Sequence, residues 1–529
     1  MTLTNNQIVK IKKQFIWLIV FATTARLFLA SQVELANDEV YYWTYALYPD
    51  LSHFDHPPLV GFLAQIFSLN LLLKDDFFLR LGSIVLSTGS TWIIFLIGRK
   101  IKNELAGLYA AFLYTSSIYC SIISGFSLIP DAPQVFFWLL SLNLALEVLP
   151  VERIENSHRK KMLLIGVVAG LAMLSKYHSV FIWVGILLFV LFQNRKWLLD
   201  YSLYLSGIIS LLVFSPVLIW NIQNKFISFT FHGDRVSPAL ELRPDYFFTE
   251  MGGQIAYNNP LNVILIVIAL VALFKGKEFI DAKYKWVLLL NAIPLWLLFT
   301  GFSLFRSTLP HWSGPAFLSL ILIAAAYWAE RIGEQNLPDK KIIRPLRIVL
   351  PSYLLVFLLV TAFYIINYSP FTLGKQNEIK NFGEYDFTQD MYGYDQVNGA
   401  FKEISQREES SGSMAKGSAL ISNKWFPGAH LDFYVARPTN RNLFLIGNLN
   451  EIHKYAWINK QRGGLQKGKD YYHIAVSNYY NDPTETFGNY FEKVEPMDTV
   501  KITRGGAVMR YAFFYRLKNY KGNFSEKIN

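Results

Sequence analysis

The 529-residue chain holds a single cysteine, Cys120, so no intramolecular disulfide can form. It lies inside an apolar run and reads as a core residue. No Walker-type phosphate loop, dinucleotide-binding glycine fingerprint, HExxH or CxxC pattern occurs, which leaves nucleotide hydrolysis and ordinary zinc chemistry without support. Whatever energy the protein uses must arrive with its substrate. There is no repeat with a period of roughly 20–50 residues, and no pair of matching halves with broken helices, so solenoid and secondary-transporter architectures lack their signatures. Charge is sparse too: 17% of residues are charged against 52% hydrophobic and 16% aromatic, with a mean hydropathy of +0.26. That composition belongs to a membrane protein rather than to three or four soluble domains.

Apolar runs long enough to be membrane spans fall at 14–33, 77–98, 104–124, 133–150, 162–175, 178–193, 201–220, 260–274, 285–303, 313–329 and 348–367. Residues 59–73 form another apolar run, an interfacial helix or a further short span, and 162–193 is a pair broken by Lys176. The expectation is an α-helical polytopic protein of about 11–13 spans. Lys and Arg sit in alternate loops: Lys10, Lys12 and Lys13; Arg99, Lys100 and Lys102; Arg153, Arg159, Lys160 and Lys161; Arg195 and Lys196; Lys275, Lys277, Lys283 and Lys285; Arg331, Lys340, Lys341, Arg344 and Arg347. These loops are predicted to be cytoplasmic, the acidic loop 34–58 and the tail after Ser369 extracytoplasmic. The net charge of +11 is then largely topological and calls for no nucleic-acid partner. The first span lacks a clear cleavage site and reads as an anchor.

Near residue 370 the apolar runs give way to a mixed segment rich in Tyr, Asn, Gly and Lys. Two domains are expected, 1–369 in the membrane and 370–529 as a small extracytoplasmic α/β domain. Its strands are predicted at 417–422, 442–446, 473–476 and 508–514, with a helix at 396–406 and a loop at 410–417.

Lys and Arg are also missing from residues 38–58, DEVYYWTYALYPDLSHFDHPP, which hold four carboxylates and two histidines. Asp38, Glu39, Asp50 and Asp55, with Glu34 just upstream, would repel one another unless something cationic or proton-donating relieved them. A solvated face is the alternative. Tyr41, Tyr42, Trp43 and Tyr45 fit an interfacial belt or a platform for a sugar face. The prolines of His56-Pro57-Pro58 read as a rigid turn, which leaves the placement of Asp55 and His56 unexplained. Further polar groups mark the same ends of later spans. Asp131, between two prolines, is a helix cap or a site residue. Lys176-Tyr177-His178 snorkels or faces a cavity. Residues Trp220 to Arg235 and the pair His311-Trp312 complete the set.

Asp38-Glu39-Val40-Tyr41-Tyr42-Trp43, closed by Phe54-Asp55-His56-Pro57-Pro58-Leu59, resembles the polytopic C-type (GT-C) glycosyltransferases of the protein mannosyltransferase clan, which use polyprenyl-phosphate sugars. Within it the chain is similar to bacterial lipid A aminoarabinose transferases and lipopolysaccharide-core galacturonosyltransferase-like enzymes. Leu128 to Pro133, Leu174-Ser175-Lys176-Tyr177, Trp220-Asn221, Gly252-Gly253-Gln254 and His311 to Ala316 extend the resemblance over about residues 10–330. It implies a glycosyltransferase of the bacterial inner membrane, with a polyprenyl-phosphate sugar donor and a glycolipid or glycan acceptor such as lipid A or lipopolysaccharide core. Asp38 is then the catalytic carboxylate and Asp131 a second catalytic-site acid. Glu39, Tyr42, Asp55, His56, Lys176, Tyr177, Arg235, His311 and Trp312 are the candidate substrate-binding residues. Aminoarabinose transferases commonly carry Glu-Lys before the Pro-Pro pair, the Lys meeting the donor phosphate; this chain has Asp55-His56 there, which argues against aminoarabinose as the sugar.

Glycosyl transfer needs an activated nucleophile on one face of the anomeric carbon and a stabilised leaving phosphate on the other. Asp38 suits the first role, and His56, Lys176 and Arg235 suit the second. A divalent metal among Asp38, Glu39, His53, Asp55 and His56 is an open expectation. Competing readings are a protein O-glycosyltransferase, a lipid or ion-coupled transporter using the acids, and a noncatalytic scaffold.

Overall fold

Each of the eleven apolar runs folds as a helix. The computed structural model describes residues 3–236, 241–335 and 338–524, the side chains of 234–236 excepted. In chain order the helices are α1 (Asn5–Ala30), α2 (Asn37–Leu47), α3 (Leu59–Phe67), α4 (Asp76–Ile101), α5 (Glu104–Ser116), α6 (Asp131–Val148), α7 (Asn156–Ser175), α8 (Phe181–Phe192), α9 (Tyr201–Gln223), α10 (Ile227–Val236), α11 (Pro244–Tyr257), α12 (Pro260–Phe274), α13 (Ala282–Phe302), α14 (Gly314–Gly333), α15 (Asp339–Ile343), α16 (Leu346–Tyr368), α17 (Tyr394–Ser410) and α18 (Trp425–Leu431). Six of them, α1, α4, α9, α13, α14 with the turn before it, and α16, are long and apolar enough to cross a membrane. The pair α11–α12, bent by 99°, makes a seventh when counted as one broken span, and the other four runs fold as α5 to α8. The chain is a multi-pass membrane protein. Residues 59–73 add no span, because α3 has nine residues, about 14 Å of helix, and positive φ at Leu69, Asn70 and Leu71 ends it in a tight turn.

The chain divides into two compact units, residues 1–30 with 50–359 and residues 31–49 with 360–529. In the first, α5 and most of α14 are buried on every side, which explains sequences apolar all round. Small residues bring α7 against α9: Ser206 Oγ donates to the Met162 carbonyl (2.6 Å) and Ser210 Oγ to the Gly166 carbonyl (2.6 Å). A Cβ on Gly166 would lie 2.4 Å from the Ser206 carbonyl oxygen, so only glycine admits this approach. At one end of the bundle the predicted basic loops meet. Lys100 pairs with Glu147, Lys161 with Glu147 (2.7 Å), Lys102 with Glu330 (2.7 Å), Arg159 with Asp200 (2.8 Å) and Lys10 with Asp339 (2.8 Å). Pairs this exposed stabilise little, yet they gather the Lys/Arg-rich helix ends on one face.

The second unit is built on a five-stranded sheet of order β2-β1-β3-β5-β4, with β1 Leu420–Ser422, β2 Leu443–Leu445, β3 Tyr471–Val476, β4 Phe491–Arg504 and β5 Ala507–Tyr520. β1 pairs in parallel with β2 and β3, and β5 pairs antiparallel with β3 and β4. The four expected strands are present and the expected helix is α17. β4 escaped prediction because FEKVEPMDTVKITR carries charge on both faces.

The single boundary expected at 369/370 is corrected by this division. The acidic loop, expected whole within residues 1–369, splits at Pro49–Asp50, and α2 packs into the second unit. Leu35 N–H donates to Tyr434 OH (2.6 Å), Lys454 Nζ to the carbonyls of Thr44 (3.1 Å) and Tyr48 (2.7 Å), and Trp43 meets Phe433 at 5.0 Å. Partners some four hundred residues away leave no trace in a local apolar pattern. Tyr41, Tyr42, Trp43 and Tyr45 are accordingly buried core residues of this unit, neither a lipid belt nor an open platform.

The charge pattern predicts that Leu51→Cys and Ser411→Cys, in a Cys120→Ser background, react with an impermeant thiol reagent on spheroplasts and that Asn156→Cys does not. Leu51 is the probe of the acidic loop because it is exposed, whereas its neighbour Ser52 is fully buried. Labelling confined to Asn156→Cys would invert the orientation.

Candidate active site

Lys176 and Asp131 meet at the end of the bundle opposite the basic loops. α6 begins with Asp131, directly after Pro130 in helical conformation, while α7 ends at Ser175 and Lys176 takes an extended backbone. That break turns the Lys176 side chain inward, where Nζ donates to Asp131 Oδ2 at 2.7 Å. Tyr119 OH donates to the other carboxylate oxygen at 3.2 Å. The paired side chains are 4% and 2% exposed, so Lys176 does not snorkel. Asp131 caps no helix: no side-chain cap bond forms at this terminus.

The turn carrying Tyr119 is pinned by two buried arginines of the spans. Arg26 Nε donates to the Ser121 carbonyl (3.1 Å) and Nη2 to Ser121 Oγ (3.0 Å), and the Arg80 guanidinium lies 4.5 Å above the Phe126 ring. Charges inside a membrane protein persist where they have such partners. Gly314 fixes the ring from its other side, since a Cβ there would fall 2.3 Å from Tyr119 Cζ. One turn along α6, Gln134 Nε2 donates to Ser179 Oγ (3.0 Å), holding α6 to the chain after Lys176. His178 and His311 interact electrostatically with both Asp131 and Lys176. Trp312 stacks obliquely on Phe299 at 5.5 Å.

Residues 50–58 are fastened to the C-terminal end of α9 and to α10. Trp220 Nε1 donates to Asp50 Oδ2 (2.9 Å), Ser228 Oγ to the His53 carbonyl (3.1 Å), and His232 Nε2 lies 2.6 Å from the Asp55 carbonyl oxygen. Phe54 packs on Phe231 at 4.6 Å, and the rings of His56 and His232 are 5.8 Å apart. Tyr177 meets His232 at 5.2 Å. Burial pushes the His56 imidazole well below its ordinary pKa, helped by His232, Lys176 and His178 and opposed by Asp55. Asp55 by itself would favour a protonated His56, but desolvation outweighs one carboxylate. His56 offers a neutral imidazole beside Lys176 rather than a second cation. The side chain of Arg235 lies outside the described residues.

The remaining candidates belong to the second unit. Asp38 is exposed in the first turn of α2, whereas Glu39 is buried and accepts the Ala36 N–H at 2.9 Å, a helix-capping use. Tyr42 is 6% exposed and packs on Tyr41 and Tyr45. Glu34 accepts the N–H groups of Tyr394 (3.1 Å) and Asp395 (3.2 Å) where α17 begins. Burial raises its carboxyl to about 7 against those two bonds. The five acids thus separate into Glu34, Asp38 and Glu39 in one unit and Asp50 and Asp55 in the other. Among the described residues no three His, Cys, Asp or Glu side chains gather as a metal site, and no step below is routed through a metal.

Sequence reasoning singled out Asp131, Lys176, Tyr177, His178 and His311, which the structure brings into one neighbourhood. It missed Tyr119, Arg26 and Arg80, and reached His232 only within the stretch Trp220 to Arg235. The arginines had a signal, a guanidinium inside an apolar run; Tyr119 had none.

Residues 55–220 match the dolichyl-phosphate-mannose-protein mannosyltransferase family. The stretch holds His56, Asp131 and Lys176 and begins after Asp38. The structure is similar to ArnT from Cupriavidus metallidurans bound to undecaprenyl phosphate, with a TM-score of 0.61 and 13% identity over 95% of this chain and 98% of that one. The apo form of the same protein gives 0.60. Archaeoglobus fulgidus oligosaccharyltransferase AglB, in complex with an inhibitory peptide and a dolichol-phosphate, gives a TM-score of 0.51 and 14% identity over 88% of this chain and 69% of that one. No curated protein matches the chain. The fold is that of the polytopic C-type glycosyltransferases, and it resembles ArnT.

Proposed function

We propose that the protein is a membrane glycosyltransferase that moves a sugar from a polyprenyl-phosphate-linked donor to an extracytoplasmic acceptor such as lipid A, lipopolysaccharide core or another envelope glycan. The observation that carries this reading is the buried Lys176–Asp131–Tyr119 group beside neutral His56. It lies within the mannosyltransferase-matching stretch, in a fold whose similar structures hold undecaprenyl phosphate or a dolichol-phosphate. The Lys176 ammonium has three N–H donors, and one goes to Asp131. The others suit the oxygens of a leaving phosphate, with a neutral His56 N–H as a further donor. Asp131 acts as a positioning residue that fixes the ammonium.

In the reaction an acceptor hydroxyl oxygen bonds to the anomeric carbon as the bond from that carbon to phosphate oxygen breaks. The electron pair leaves with the polyprenyl phosphate, whose charge Lys176 stabilises, and the hydroxyl proton passes to a general base, the role that the sequence resemblance gives to Asp38. The polyprenyl tail stays in lipid, which accounts for a phosphate site at the end of a helical bundle. We place the protein in the bacterial cytoplasmic membrane with the acidic loop and the C-terminal unit outside. A second reading, transfer to a protein hydroxyl, is favoured by the family match to protein mannosyltransferases.

The test supplies nanodisc-embedded protein with radiolabelled polyprenyl-phosphate sugars and, in separate reactions, envelope glycolipid and protein acceptors. Labelled acceptor and free polyprenyl phosphate are expected in equal amounts. Absence of turnover with every donor and acceptor, alongside proton or lipid movement across the membrane, would favour a transporter.

A further inference from the structure

The C-terminal unit contains a cavity of about 270 Å³ that the transfer chemistry does not use. It is bounded by the loop at 381–385, the start of α18 and the turn that follows β3. At its wall stands Asn478, 4% exposed, and neither amide atom of its side chain has a hydrogen-bond partner among the described residues. A buried amide that satisfies neither its donors nor its acceptor is costly, and native structures keep such a group rarely and for a reason.

The rest of the wall narrows the kind of partner. Phe426 and Tyr479 meet edge to face at 4.4 Å, and Tyr385, 76% exposed, stands at the rim. Asn381 and Asn481 add two further amides. Charge is nearly balanced, because Lys424 is the lining cation and the lining acid Glu384 is tied to Lys375 at 2.8 Å. A phosphate or nucleotide would want a cluster of cations, and an apolar ligand would leave Asn478 unsatisfied. A sugar ring meets both demands, its C–H faces lying on aromatic rings and its hydroxyls giving and accepting at the amides. The volume, about 270 Å³, lies just below the roughly 300–1,000 Å³ typical of ligand pockets, room for one ring rather than a chain.

We infer that this cavity is a saccharide-binding site on the C-terminal unit, with Asn478 as its anchor and Tyr385 as its stacking rim. Occupancy does not depend on the transfer reaction. The test uses full-length protein in nanodiscs and saturation-transfer difference NMR. The probes are glucose, galactose, mannose, N-acetylglucosamine, the lipid-free core oligosaccharide of a lipopolysaccharide, the intact lipopolysaccharide and, as a control, inorganic phosphate.

At least one saccharide is expected to bind saturably, at least tenfold more weakly to Asn478→Leu and severalfold more weakly to Tyr385→Ala. The melting temperature of Asn478→Leu should hold or rise, because an unpaired amide has been replaced by an apolar group of similar size. Should Asn478→Leu fail to fold, Tyr385→Ala at the exposed rim decides alone. Binding of the lipid-free oligosaccharide marks a free glycan as the source, and binding of the intact form alone marks a lipid headgroup. Phosphate binding without sugar, no binding by any saccharide, or binding unaltered in both variants overturns the assignment.

Discussion

Asp38→Asn is expected to fold and insert as the parent does and to lose sugar transfer by about a hundredfold or more, the scale of a general base. Geometry separates chemistry from stability here. Asp38 is exposed at the start of α2, while Glu39 beside it is buried and serves the Ala36 N–H. An asparagine in the first turn keeps the shape and loses the negative charge and the ability to take a proton. Glu39→Gln is the control: it should lower thermal stability by about 1 kcal/mol through the weakened cap and leave the pH profile of transfer in place. Donor hydrolysis and acceptor transfer measured across pH, with parent-like rates for Asp38→Asn, would remove Asp38 from the mechanism.

Helices were legible because hydrophobic run length is a local property, and every run from 14–33 to 348–367 became one. The gathering of charged loops at one end of the bundle was legible for the same reason, since each loop carries its own Lys and Arg. The acidic loop was misread because its residues are separated by contacts that lie far along the chain. Leu35 reaches Tyr434, Asp50 reaches Trp220, and Asp55 reaches His232. Five carboxylates close in sequence therefore became two acceptors at helix starts, an indole acceptor, one exposed acid and, at Asp55, a buried side chain. The neutral state of His56 was not legible, because desolvation is set by what packs around a group and no spacing reveals it. Lys176 was recognised because a lone lysine between two apolar runs has few cheap fates. Its partner could not be chosen from sequence among Asp38, Asp55 and Asp131.

Lys176→Met is expected to cost both folding stability and transfer, and pairing it with a second change tells the two apart. With the ammonium gone, the Asp131 carboxylate stays buried with the Tyr119 hydroxyl as its remaining hydrogen-bond donor. Removing one partner of a buried ion pair costs about 3–5 kcal/mol, so Lys176→Met should inactivate at lower temperature in detergent. Asp131→Leu with Lys176→Met replaces the pair by apolar side chains, and such replacements are often neutral. The double variant should therefore recover most of the parent's thermal stability. Transfer should stay depressed by about a hundredfold to a thousandfold, the scale of one lost preorganised donor to a developing oxyanion. Lys176→Arg, which keeps the charge with different geometry, should fall between parent and Lys176→Met in transfer. The loss should appear in the apparent donor constant and in turnover, with the acceptor constant little changed. A double variant that regains both stability and transfer would make the ion pair purely structural, and the leaving phosphate would then have to be held by other groups.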